Sequence, residues 1–139
     1  MKVLYIDTNI FLNLLLKEEL FIEKSRKLIN MINNKEFKGL TSILTLMEIY
    51  RVLQKQNVKN KIIDEAIKRI LEMEIEIIIP ESYVFIQAYD LVKKYRIDID
   101  DALHLAIAIS NDAILVTWDE KFLKKSKRII ETKTPEEII

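Results

Sequence analysis

The chain contains no cysteine, one histidine, one glycine and two prolines among its 139 residues. Without cysteine it can form neither a disulfide nor a thiolate metal site, and it carries no thiol nucleophile. A lone imidazole cannot build a histidine-rich zinc site, so any metal must be held by oxygen. Hairpin turns draw on glycine, proline and asparagine, and their scarcity points to helices joined by short loops rather than to β-hairpins. Neither sign of charge is in excess, with 22 Lys and Arg against 22 Asp and Glu. Bulk charge therefore gives no support to a generally basic nucleic-acid binder, and any polyanion site must be a local patch. No apolar run reaches the roughly 20 residues of a membrane span. The N-terminus leads directly into a strand-like segment rather than through the basic head and apolar stretch of a signal peptide. The expectation is a soluble, cytoplasmic protein with no membrane partner.

Half of the residues are hydrophobic, enough for a substantial core, and residues 1–139 are expected to form a single domain. The organising stretch is Val3-Leu4-Tyr5-Ile6-Asp7, a short, evenly apolar run that reads as a buried parallel strand closed by a carboxylate. In open parallel α/β sheets ligands bind above the C-terminal strand edge, where Asp7 would lie. Thr8 or Asn9 is placed to cap a helix through Ile10 to Leu16, apolar nearly all round. An amphipathic helix follows over residues 20–34, then a short strand at 39–42, helices over 43–56 and 60–72, and a strand at 74–79. Pro80 is expected to open a helix running to Lys94. Ala102 to Ile109 forms the most apolar helix, Ala113 to Thr117 a buried strand, Asp119 to Lys124 a short helical turn, and Arg128 to Glu131 an edge strand. Alternating strands and helices without hairpin signals mean a parallel sheet covered on both faces, a three-layer α/β/α sandwich.

Four acidic residues stand where burial discourages them. Asp7 closes the first strand, Glu48 lies within an apolar helical face, Asp101 heads the most apolar helix, and Asp119 follows the last long strand. Taken singly, Asp7, Asp101 and Asp119 can be read as helix N-caps worth about 1 kcal/mol each, and Glu48 as a solvated partner of Arg51. Together, Asp7, Asp101 and Asp119 fall at a strand end or helix start on one sheet edge, and Glu48 follows a short strand by one to two helical turns, close enough to reach over that edge. Two carboxylates about 4 Å apart repel by roughly 4 kcal/mol at an effective dielectric of 20, and a divalent cation relieves that repulsion. All-oxygen ligation suits Mg²⁺ or Mn²⁺, which also bind substrate phosphates. The chemistry implied is metal-dependent phosphodiester hydrolysis.

These residues fall in recognisable blocks: Tyr5-Ile6-Asp7-Thr8-Asn9-Ile10, Thr41 to Ile49, Asp100 to Ala108, and Val116 to Phe122. In that order they resemble the PIN-domain ribonucleases, and in size the chain is similar to the VapC toxins of toxin–antitoxin pairs. The resemblance implies a Rossmann-like sandwich, an endoribonuclease acting on RNA, frequent homodimerisation, and a cognate antitoxin docked on exposed apolar surface. It also implies that Asp7, Glu48 and Asp101 are the core acidic residues, with Asp119 the fourth. Thr8, Asn9 and Thr117 are small polar groups placed to orient the carboxylates or an attacking water. Arg51 and Lys121 are candidate phosphate contacts, Arg51 because it follows Glu48 by about one turn. His104, one turn beyond Asp101, reads as a hydrogen-bonded structural histidine rather than a general base. Trp118 reads as packing, with base stacking the competing role.

Competing functions leave different marks. A signalling receiver domain needs a phospho-acceptor Asp after a middle strand, where this chain has Ile79-Pro80. A haloacid-dehalogenase-like phosphatase needs Asp-x-Asp after the first strand, where this chain has Asp7-Thr8-Asn9. A non-catalytic module of the same fold would have no need of the acidic set, and a PIN-type RNA-processing nuclease without an antitoxin would keep it.

Overall fold

A computed structural model describes residues Met1 to Ile139. The elements run β1 (Val3–Ile6), α1 (Thr8–Leu15), α2 (Ile22–Asn33), β2 (Lys38–Ser42), α3 (Ile43–Lys55) and α4 (Asn60–Leu71), then β3 (Ile75–Ile78) and α5 (Ser82–Tyr95). They continue as α6 (Ile99–Ser110), β4 (Ile114–Val116), α7 (Glu120–Lys127), β5 (Thr132–Lys133) and α8 (Pro135–Ile138). The five strands form one sheet in the order β3-β2-β1-β4-β5, with every neighbouring pair parallel. The chain thus winds outward from β1 to β3, returns across the sheet, and winds outward again through β4 to β5. Strands β1 and β4 flank the point where the winding reverses, which in doubly wound sheets opens a crevice at the C-terminal strand ends.

Strand alternation sorts the core onto the two faces. Leu4 and Ile6 point into a cluster with Ile10 and Phe11 of α1, Leu28 and Ile32 of α2, Ile49 and Leu53 of α3, and Ile63 and Ile70 of α4. Tyr5 points the other way, with Leu40 and Leu115, into a cluster built from Val84 and Ala88 of α5, the alanine-rich α6 and Phe122 of α7. The sheet is therefore covered on both sides, an α/β/α sandwich. The single glycine is required by close approach, since a Cβ on Gly39 would stand 2.7 Å from Ile32 Cγ2.

Several boundaries differ from the sequence reading, and α6 begins at Ile99 rather than Ala102, which places Asp101 inside its first turn. The α5 helix starts at Ser82 rather than Pro80. The turn expected after Asp119 is an eight-residue helix through Lys127, because Phe122 and Ser126 bury on one face of it. That extension moves the edge strand from Arg128–Glu131 to Thr132–Lys133. Ile129 and Ile130 turn back to bond the Ser126 carbonyl and pack against the second core cluster instead. The C-terminal helix was not anticipated, although Thr134-Pro135-Glu136-Glu137 carries its signature, with Pro at the first helical position and a reciprocal Thr134–Glu137 capping box.

Candidate active site

The backbone brings the four acidic residues to one pocket at the C-terminal edge of the sheet. Asp7 follows β1 directly, and its N–H donates to the Val116 carbonyl of neighbouring β4 at 3.0 Å. Thr117 and Asp119 follow β4 across the switch point. Glu48 comes from α3, which begins immediately after β2, and Asp101 from the first turn of α6. All four line a pocket of about 370 Å³ together with Thr8, Asn9, Arg51 and His104.

Asp7 is buried and serves as the N-cap of α1. Its Oδ1 accepts from the Thr8 N–H at 2.8 Å, and its Oδ2 accepts from the Thr117 hydroxyl at 2.7 Å and from Asn9 Nδ2 at 3.3 Å. Burial outweighs these bonds and pushes the Asp7 carboxyl above the ordinary range, helped by the charge of Glu48. Glu48 is half-buried and gripped at both oxygens, by His104 Nε2 on Oε1 at 2.7 Å and by the Thr8 hydroxyl on Oε2 at 2.6 Å. Burial works to raise its pKa, but the His104 hydrogen bond and charge, then Thr8 and Arg51, outweigh it and hold Glu48 below the usual value.

Asp101 differs from both. The N-cap position of α6 is Asp98, so capping does not account for Asp101. Its half-buried carboxylate has no hydrogen-bond or ion-pair partner in the protein and lines the pocket. Burial raises it, Lys125 opposes that, and the charges of Asp98 and Asp7 add to it. Asp119 is an exposed N-cap of α7 whose Oδ1 accepts from the N–H groups of Lys121 and Phe122, so its capping role is real and its second oxygen is free to face the pocket.

Thr8, Asn9 and Thr117 stand against these carboxylates as expected from sequence. Asn9 also spans the β1 and β4 loops, donating to Thr117 Oγ1 at 3.0 Å and accepting from the Trp118 N–H at 3.1 Å. Arg51 lines the pocket. Lys121 sits in the first turn of α7, exposed and outside the pocket lining. Trp118 is committed to packing, stacked on Phe21 at 4.5 Å between centroids and donating its indole N–H to Ser25 at 2.8 Å.

His104 is hydrogen-bonded, as read from sequence, but its partners were not foreseen. One donor atom each of Asp7, Glu48 and His104 lies within 4.8 Å of the others. Both ring nitrogens are nevertheless engaged, Nε2 with Glu48 and Nδ1 with the Tyr5 hydroxyl at 2.7 Å, which leaves carboxylates as the metal-capable groups. The Tyr5 hydroxyl in turn meets Ser42 Oγ at 2.7 Å. Sequence reasoning placed Tyr5 and Ser42 in the strands and in the family blocks but gave neither a role at the site. The available signal was a tyrosine inside a fully buried strand, whose hydroxyl must find a partner.

A doubly wound parallel sheet with a carboxylate pocket at its switch point defines the class as an α/β/α protein with an oxygen-donor site at the sheet edge. The chain belongs to the PIN domain family, whose model matches residues 4–128. Among solved structures it is similar to VapBC2 from Rickettsia felis, bound to a DNA fragment from their promoter. That match has a TM-score of 0.76 and 20% identity, and covers 95% of this chain and 98% of that one. DNA-bound VapBC from Salmonella typhimurium matches with a TM-score of 0.67 at 19% identity, over 97% of this chain and 99% of that one. VapC20 from Mycobacterium tuberculosis, described as a sarcin-ricin loop cleaving toxin, matches with a TM-score of 0.69 at 13% identity, over 86% and 92%. At these identities the likeness establishes the fold. No curated protein sequence matches the chain.

Proposed function

We propose that the protein is a Mg²⁺- or Mn²⁺-dependent endoribonuclease of PIN type, acting as the VapC-like toxin of a toxin–antitoxin pair. The observation that carries the reading is the convergence of Asp7, Glu48, Asp101 and Asp119 from four separate elements onto one pocket. The donor set fits a hard dication: it is all carboxylate oxygen, Asp7 is buried at a cost to its charged form, and Asp101 has no protein partner. Asp7, Glu48, Asp101 and Asp119 would hold the ion, which when bound supplies an activated water and neutralises charge developing on the phosphodiester. Thr8 and Thr117 hold Glu48 and Asp7 in fixed orientations through their hydroxyls, and Asn9 ties the two loops that carry Asp7 and Asp119. Arg51, at the pocket wall, supplies a positive charge for a backbone phosphate of the RNA, and Lys121 a second on the outer rim.

The partner reading rests on a second feature. An apolar groove of about 590 Å³ runs between α1, α2 and α4, lined by Phe11, Leu14, Leu15, Leu16, Ile29 and Ile70 among others. Helix α1 joins this groove to the acidic pocket, so an amphipathic antitoxin segment seated there would lie beside the site it must silence. The face of α5 presents Tyr83, Phe85, Ile86 and Tyr89 to solvent, a surface suited to homodimerisation. No helix is long and apolar enough to cross a membrane.

Purified protein is expected to cleave RNA with Mg²⁺ or Mn²⁺ and to stop with EDTA, and Asp7→Asn is expected to abolish cleavage. Wild-type cleavage by Asp7→Asn would overturn the assignment. Co-expression with the product of the neighbouring reading frame should yield a complex that Leu15→Glu disrupts. A fully active enzyme that forms no such complex is instead an RNA-processing nuclease without an antitoxin.

A further inference from the structure

The proposed chemistry uses the carboxylates and leaves unexplained why a histidine and a tyrosine are buried directly beneath them. His104 is 2% exposed and Tyr5 and Ser42 are 0% exposed, so none of the three can meet RNA. They form one continuous chain of short contacts, Ser42 Oγ to Tyr5 Oη at 2.7 Å, Tyr5 Oη to His104 Nδ1 at 2.7 Å, and His104 Nε2 to Glu48 Oε1 at 2.7 Å. The chain crosses from the end of β2 through β1 and α6 to α3, so it ties together the elements that carry the pocket.

The acceptor at its end fixes its direction. The Glu48 carboxylate has no proton to give and can only accept, so His104 must donate from Nε2. In the neutral imidazole Nδ1 is then an acceptor, which requires the Tyr5 O–H to donate to it. The Tyr5 oxygen is left to accept from the Ser42 O–H. Every donor and acceptor in the row is matched, and of the two neutral tautomers only Nε2–H satisfies it.

From this arrangement, and resting on the metal-dependent reading above, we infer that His104 is a positioning residue for Glu48. The Ser42–Tyr5 pair locks the imidazole tautomer and ring orientation. His104 and Thr8 then hold one Glu48 oxygen each, so the carboxylate keeps a single rotamer with a remaining lone pair on each oxygen turned toward the pocket. The role is that of the outer partners which orient metal-ligating side chains, whose loss typically costs about 10- to 100-fold in metal affinity or activity. Here the histidine supports the carboxylate rather than binding the ion.

The test compares wild type, His104→Leu, His104→Gln, Tyr5→Phe and Asp7→Asn. Fold is followed by circular dichroism, Mn²⁺ binding by calorimetry, the His104 tautomer by ¹⁵N NMR without metal at alkaline pH where the imidazole is neutral, and RNA cleavage at saturating Mn²⁺. The Nε2–H tautomer is expected in wild type and a tautomer mixture in Tyr5→Phe. His104→Leu should weaken Mn²⁺ binding about 10- to 100-fold and lower kcat with KM for RNA unchanged. His104→Gln, which can present an amide N–H to Glu48, should recover most of the loss, and Tyr5→Phe should fall between wild type and His104→Leu. Folded His104→Leu with wild-type Mn²⁺ affinity overturns the inference, as does an Nδ1–H tautomer in wild type. If His104→Leu does not fold, Tyr5→Phe decides, because it removes one oxygen atom, and wild-type tautomer and Mn²⁺ affinity in that variant overturn the inference equally. Asp7→Asn separates the two levels: if it too leaves Mn²⁺ binding intact, the metal site itself is misplaced, whereas its loss of binding beside an unaffected His104→Leu defeats the positioning role alone.

Discussion

The pocket has an inner half and an outer half, built on different terms. Asp7 and Glu48 are gripped by hydrogen bonds to both oxygens, from Thr8, Thr117, Asn9 and His104. Asp101 has no protein partner, and Asp119 lies exposed with one oxygen committed to the cap of α7. The inner pair is pre-positioned at a cost already met by folding, because each grip also ties an element into the sandwich. In the outer pair Asp101 makes no bond to the protein and Asp119 keeps one oxygen uncommitted, so these groups can adjust to what enters the pocket.

That contrast can be broken most severely at Asp7. Losing a ligand carboxylate removes several kcal/mol of charge stabilisation, and Asp7→Asn should lower the cleavage rate by on the order of 10³-fold or more. In metal-free buffer the same substitution removes a buried charge and also an acceptor, so the two effects oppose and the melting temperature should move by no more than a few degrees, corresponding to about 1 kcal/mol for a chain of this size. Asn keeps one oxygen to accept from the Thr8 N–H and removes the buried charge, but its Nδ2 cannot accept from Thr117 or Asn9 as the Asp7 carboxylate does. A loss of stability well beyond those few degrees, beside the loss of activity, would contradict the view of Asp7 as a buried charge kept for function.

Removing charge from one member of each half sharpens the comparison. Glu48→Gln breaks the bond pattern of the inner half, since an amide cannot accept at both oxygens, and should disturb both stability and Mn²⁺ binding. Asp101→Asn breaks no bond within the protein, and should weaken Mn²⁺ binding with no loss of melting temperature. Differential scanning fluorimetry with and without Mn²⁺ reads both effects.

The pocket groups also differ from one another in how they make stability follow pH without divalent ions. Asp7 and Asp101 have raised pKa values, so between the ordinary aspartate value near 3.8 and their folded values the native state binds more protons than the unfolded chain. Stability therefore falls as pH rises through that window. His104, also raised despite its burial, through the Glu48 hydrogen bond and the neighbouring carboxylates, contributes stability that is complete below its ordinary value near 6.5 and lost above its folded one. Glu48 acts oppositely, its lowered pKa giving stability that disappears as pH drops below about 4.5. Urea melts from pH 4 to 8 should show declining stability toward high pH, and added Mg²⁺ should reverse the decline by neutralising the deprotonated pocket. A pH-independent midpoint in metal-free buffer would remove the buried-charge argument.

The smallest effect separates cap from site at Asp119. Asn caps a helix about as well as Asp, so Asp119→Asn should leave the melting temperature unchanged and lower activity by roughly tenfold. Asp119→Ala adds a loss of about 1 kcal/mol in stability, measurable by chemical denaturation.

Much of this architecture was legible along the chain. The run ending at Asp7, the apolar helix after Asp101 and the absence of hairpin chemistry define a parallel sandwich, because period and burial are local properties of a segment. The blocks around Asp7, Glu48, Asp101 and Asp119 carry the family resemblance that the match over residues 4–128 bears out. Even the missed C-terminal helix had its capping box written at Thr134 to Glu137. The edge strand was misplaced by a few residues because Ile129 and Ile130 look equally like strand and like core, and only the length of α7 decides between them.

Sequence alone determined which residue types could meet at the sheet edge, since carboxylates set among apolar residues close a strand, head a helix or, as with Glu48, follow a strand by a turn or two of helix. Tertiary structure alone decided which oxygens are held and by what. Tyr5 and Ser42 are separated by 37 positions and Tyr5 and His104 by 99, and no local pattern links residues so far apart. Hydrogen-bond partners across such separations are set by strand order and register, which fix where each element's ends lie only after the whole sheet has assembled.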